Sequence, residues 1–397
     1  MDRVADRGAR RRAAPPFLQN AFRPFFLAGA FWAAALVPLW VWEYAGGGLG
    51  SLASLGLTGH AHEMLYGYLA AIICGFSLTA IPNWTGRAPV AGTGLAALFA
   101  LWIAGRAASI GFDAMAATII DIAFLFALAA VAWREILAGQ NWRNLPVAGL
   151  LTLFALSHLL FHLPAWYPGA IRGTLSVAAL LIAVIGGRIV PSFTRNWLAS
   201  IDSPHTATMP GPMKTYDKVS IAILVLALLC WTLIPVEPLT GILLLLAGLG
   251  QIVRLARWKG LATLSEPLVW SLHAGYMWLG IAAALIGAGI LWPASMPASA
   301  GLHAMAAGLI GTMTLAVMTR ASLGHTGRPR SANPVTTLIY ALAHLGATLR
   351  VCAAIRDNDP ALLVAGATLW SGAFLLFCVG YAPMLFGAKP PAAAATR

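Results

Sequence analysis

Charge is what this sequence most lacks. Of its 397 residues only 10% are Asp, Glu, Lys or Arg, and the acids number 13, while 59% are hydrophobic. That lies far outside the soluble mix, and a soluble fold could not hide so much apolar surface. Cysteine is sparse too. Cys74, Cys230, Cys352 and Cys378 sit apart inside apolar runs, which excludes a disulfide framework and a zinc knuckle and leaves small residues packed between helices. There is no Cys-x-x-Cys-His sequence for covalent haem attachment, and neither a dinucleotide fingerprint nor a Walker loop. The Arg- and Ala-rich stretch from Met1 to Pro16 is followed by no signal-cleavage pattern, so residues 1–23 read as a basic cytoplasmic tail ahead of a retained first helix.

Apolar runs long enough to span a bilayer follow one another instead. About twelve can be drawn, at approximately 24–43, 62–82, 92–111, 115–133, 145–163, 171–190, 219–235, 238–254, 267–291, 299–319, 335–355 and 360–384. The chain is therefore expected to be all-α, a polytopic membrane protein with one transmembrane domain over 24–384 and a short tail at 385–397. The breaks at 111–115 and 235–238 are the shortest, and one misread there would invert every later loop.

Lys and Arg collect in cytoplasmic loops. Here they alternate: Arg10, Arg11, Arg12 and Arg23; Arg87; Arg134 and Arg143; Arg195, Lys214 and Lys218; Arg254, Arg257 and Lys259; Arg320, Arg328 and Arg330; Lys389 and Arg397. Arg106, Arg172, Arg350 and Arg356 are exceptions on the opposite side. Both termini are thus expected in the cytoplasm of a bacterial inner membrane. The net charge of +12 follows from this bias beside anionic lipid and needs no nucleic-acid partner.

The segment HEMLYGYLAAIICGFSLTAIPNWTGR from His62 aligns without a gap on HAMAAGLIGTMTLAVMTRASLGHTGR from His303. His62 falls on His303, Met64 on Met305, Gly67 on Gly308, and Thr85, Gly86 and Arg87 on Thr326, Gly327 and Arg328. The sixth span ends in GGRIVPSFTRNWL, where Pro191, Asn196 and Trp197 echo Pro82, Asn83 and Trp84 more loosely. Spans two, six and ten are four helices apart, which suggests a pseudo-threefold set of four-helix units.

An ionisable side chain inside a membrane is costly unless it is paired, ligated or in a wet cavity, so the nine histidines become site candidates. Matched depth on two repeated helices would let His62 and His303 clamp a flat haem axially; interface histidines snorkelling to water are the alternative. Glu63 would orient an imidazole or relay protons. His158 and His162, four apart, share a helix face and could grip one metal ion, or each could bond a neighbour's carbonyl or hydroxyl. His60 and His62 stand roughly 200° apart on a helix and share a metal only if His60 is in the loop. Arg188, Arg320 and Arg328 are candidates for holding a substrate or haem propionates.

In HAHEMLYGY, GFSLTAIPNWTGR, GGRIVPSFTRNWL, LHAGYMW, GLIGTMTLAVMTRASLGHTGRP and FRPFF the sequence resembles the NnrS family of bacterial membrane proteins over most of its length. The resemblance implies haem b and copper, an inner-membrane location and a role in nitric oxide metabolism, nitrosative stress or denitrification. Its histidine motifs fall on His60, His62, His273, His303 and His325 and do not extend to His158 or His162. An oxidoreductase acting on nitric oxide would draw electrons from quinol or a redox protein. A transporter and a non-catalytic haem or copper carrier are the rival readings.

Overall fold

Runs of Ala, Leu, Ile, Val and Phe broken by Gly, Pro and Arg leave the backbone one way to satisfy itself in lipid, which is to bond within each segment. The computed structural model describes residues 11, 13–47, 56–111, 114–209 and 213–390, and contains no strand among them. The long helices are α1 (Phe22–Tyr44), α2 (Gly56–Thr85), α3 (Thr93–Gly111), α4 (Ala114–Ala138), α5 (Leu145–Phe161) and α6 (Tyr167–Ser200). After them come α7 (Thr215–Leu233), α8 (Pro238–Ala256), α9 (Pro267–Leu291), α10 (Ala298–His325), α11 (Pro334–Ile355) and α12 (Pro360–Phe386). Each expected span meets one of these helices, including the pairs flanking both short breaks. Eleven are long and apolar enough to cross a membrane; the apolar part of α3, Thr93–Ala108, is shorter. The chain is a multi-pass membrane protein.

Among the described residues three helices carry a π-helical stretch: Glu63–Leu69 in α2, Ile182–Gly186 in α6 and Ala304–Gly311 in α10. π-Helix is rare and gathers at functional sites. These are the three spans picked out by repetition. The ungapped alignment that sets His62 on His303 carries Glu63–Leu69 onto 304–310, one residue short of the segment observed in α10. In α6 the looser Asn–Trp register sets Ile182 against Leu69, so its π segment begins where that of α2 ends.

The chain forms two compact units. The first holds the described residues up to Trp166 together with Met318–Arg330 and those from Phe374 onward; the second holds Tyr167–Val317 and Ser331–Ala373. This division does not follow the four-helix periodicity of the repeat.

In the first unit FRPFF is buried throughout. Arg23 Nη1 donates to Leu385 O at 2.8 Å and Gly387 O at 2.7 Å, and more weakly to Met384 O at 3.4 Å. It thus caps the carbonyls that α12 leaves unbonded at its C-terminus, where a cation also suits the helix dipole. Arg23, expected in the basic tail, is a buried residue of α1.

Candidate metal centre

Short connections join α3 to α4 and α4 to α5, and these neighbours pack as antiparallel hairpins. The first turns of α2 and α4 and the last turns of α3 and α5 therefore gather at one end of the first unit. Each of these four helices places at least one polar side chain there, in segments otherwise almost wholly apolar.

From α2, His62 directs its two ring nitrogens at two carboxylates: Nδ1 lies 3.0 Å from Glu63 Oε1 and Nε2 lies 2.9 Å from Asp121 Oδ2 of α4. His158 of α5 joins at the same point, with Nε2 3.2 Å from His62 Nε2 and 3.3 Å from Asp121 Oδ2. His162, the C-cap of α5, completes a group in which one ligand atom from each of the four residues lies within 4.8 Å of every other. Ligand atoms about 2.0–2.2 Å from a single tetrahedral ion stand roughly 3.3 Å apart, which is the scale of these contacts.

The surroundings hold the carboxylates in place. Arg106, from the end of α3, bonds Glu63 Oε2 at 2.8 Å through Nη1 and Asp121 Oδ1 through Nη2, and Trp32 Nε1 donates to Glu63 Oε2 at 2.9 Å. Glu63 is thereby fixed from two sides while its other oxygen orients the His62 ring. Tyr66 lies flat on His158, with ring centroids 4.0 Å apart at 14°, and donates its hydroxyl to Ser157 O. The π stretch contributes directly, because it starts at Glu63 and contains both Tyr66 and Gly67. A Cβ on Gly67 would stand 2.7 Å from Glu63 Oε2 and 2.8 Å from both Arg106 Nη1 and Trp32 Nε1. Glycine there makes room for the ion pair.

Two observations fit the group to a metal ion. His162 Nε2 is buried with no hydrogen-bond partner among the described residues, and an orphaned buried nitrogen is costly unless something occupies it. With neutral imidazoles, Glu63 and Asp121 against Arg106 leave one negative charge at a site where Asp121 is 6% exposed and His158 fully buried. A bound cation or an imidazole proton balances it. Three imidazoles and a carboxylate suit copper, zinc or iron.

A haem iron is a poorer match at His62. Its Nε2 side is taken by Asp121 and His158, where a porphyrin face would have to lie, and its Nδ1 side by Glu63.

The remaining expected residues have these surroundings. His303 belongs to the second unit and its Nδ1 bonds Ser299 O at 2.7 Å. His60 stacks on Trp40 with centroids 4.3 Å apart. His273 Nε2 sits 2.7 Å from Thr194 Oγ1, and His325 ends α10 with its ring 5.5 Å from Phe22. Arg188 follows the π stretch of α6 in the second unit, whereas Arg320 and Arg328 belong to the first. The structure thus unites His62 with the i, i+4 pair His158 and His162, which lie outside the strings that carry the resemblance. It adds Asp121 and Arg106, which sequence patterning does not bring to the site. Asp121 interrupts the apolar run TIIDIAFLF, a signal by itself, and Arg106 is the charge-rule exception whose partners are now visible.

No curated protein matches the chain. The family of the NnrS protein does, over residues 16–389, nearly the whole length, and the chain belongs to that family.

Proposed function

We propose that this chain is a bacterial inner-membrane protein of nitric oxide metabolism that holds a transition-metal ion, copper by preference, between His62, Asp121, His158 and His162. The observation that carries the reading is the convergence of three imidazoles and a carboxylate from three helices, with His162 Nε2 buried and unpaired. Family membership supplies the link to nitric oxide. When bound, the ion would supply a redox-active Lewis-acidic centre able to take nitric oxide as a ligand. The chain's own part is to present neutral imidazole nitrogens, with Glu63 holding the His62 ring through Nδ1, Arg106 pairing with both carboxylates, and Tyr66 and Phe161 covering the rings against lipid. Nitric oxide is small and apolar, so it reaches such a site through the bilayer. Net turnover would need electrons from quinol or a redox protein; an ion carrier would need none.

Metal analysis and visible spectroscopy of the purified chain test this. Stoichiometric copper is expected in the native chain and its loss in Asp121→Asn and His162→Ala. Full retention in both variants would refute the site. If a b-type haem copurifies, its Soret band is expected to survive His62→Ala, because the His62 nitrogens are committed to the cluster; loss of that band would restore the His62–His303 axial pair.

A further inference from the structure

A second set of charges in the first unit takes no part in the metal centre. Arg11, Arg23, Arg328, Arg330 and Lys389, with His325, gather at the opposite end, where α1 begins and α10 and α12 finish. They are graded in depth. Arg23 is 2% exposed, Arg11 and Arg328 are half-buried, and His325, Arg330 and Lys389 form an exposed rim. Arg23 stands within electrostatic reach of Arg328 and Arg11, and His325 within reach of Arg330 and Arg11. The Lys389 chain runs past Gly327, where a Cβ would come within 2.5 Å of its Cε, and Arg330 Nε lies 3.3 Å from where a Cβ on Gly324 would stand.

Among the described residues no carboxylate forms an ion pair with any of these six. The positive-inside bias explains why cations collect at this end. It does not explain why Arg23 Nε and Arg328 Nη1 are both buried without a hydrogen-bond partner. Buried guanidinium donors left unmade are expensive, and like charges packed together add repulsion. One anion with several acceptor oxygens relieves both costs, and guanidinium forks match phosphate oxygens.

We propose that this cluster is a phosphate-group site, with Arg23 as floor, Arg328 and Arg11 as walls and Arg330 and Lys389 as rim. The group comes from an anionic phospholipid headgroup or from free phosphate. The full-length chain in nanodiscs of phosphatidylcholine, with and without an equal part of phosphatidylglycerol, and separately with inorganic phosphate, tests it by thermal unfolding and ligand titration. Phosphatidylglycerol is expected to raise the unfolding temperature, and Arg328→Gln/Arg330→Gln to weaken its binding about tenfold or more, since each charge-assisted bond is worth about that factor. The control pair Arg143→Gln/Lys218→Gln, which removes the same charge from other basic segments, should bind as the native chain does. Arg23 is left intact because it also caps α12. A gain with inorganic phosphate alone that the same variant abolishes assigns the site to the soluble anion. The proposal is overturned if neither ligand shifts unfolding, or if both charge-removing pairs weaken binding equally.

Discussion

Arg106 is the cation shared by two buried carboxylates, and its removal gives the sharpest test of the site's energetics. In Arg106→Met the side chain keeps much of its apolar stem, but Glu63 loses its 2.8 Å partner and Asp121 its own, so two negative charges remain where Arg106 had been 4% exposed. Breaking one buried ion pair costs about 3–5 kcal/mol, chiefly through the uncompensated charge, whereas exchanging the whole group for neutral residues is often close to free. Arg106→Met should therefore lose about 3–5 kcal/mol. The triple variant Arg106→Met/Glu63→Gln/Asp121→Asn should recover most of that loss, because Gln keeps an acceptor for Trp32 and His62 while no charge is stranded. Equilibrium unfolding in mixed detergent with a chelator present, followed by tryptophan fluorescence, reads both numbers without metal binding in the balance. A single-variant loss under about 1 kcal/mol, or a triple variant no more stable than the single one, would refute the reasoning.

Gly67→Ala should drive a methyl into Glu63, Arg106 and Trp32, costing about 1–3 kcal/mol and releasing the metal; full metal occupancy by elemental analysis would contradict this. Glu63→Gln should weaken metal binding roughly tenfold to a hundredfold by loosening the His62 ring, measured by competition with a chelator of known affinity. Tyr66→Phe keeps the stacked ring and should bind metal normally, whereas Tyr66→Leu should not; equal affinities would show that the stacking does nothing for His158. Arg23→Gln should fray the end of α12, seen as faster amide exchange over the residues after Tyr381, with the metal centre at the other end of the unit unchanged.

Much of this protein is legible in its sequence. The long helices of the described residues follow from the apolar runs because lipid leaves the backbone no other local solution, and that constraint acts on each segment separately. The likeness of His62–Arg87 to His303–Arg328 is readable for the same reason, and the matching π stretches show that it extends to the backbone. The i, i+4 face of His158 and His162 is also a local fact.

What the sequence could not decide is which helices meet. Equality of depth pairs His62 with His303, but depth is a relation along the membrane normal that says nothing about neighbours in the plane. The structure gives His62 the side chains of Asp121 and His158, from residues 59 and 96 positions away, because the α2–α5 hairpins return their ends to one place. Arg106 makes the same point in reverse, an anomaly in a rule about loops that turns out to be one half of a buried ion pair. The sequence by itself determined that this is a helical membrane protein with buried histidines. Only the tertiary structure decided which of them share a site, since hydrophobic runs fix where a helix crosses while side-chain packing between helices fixes whom it faces.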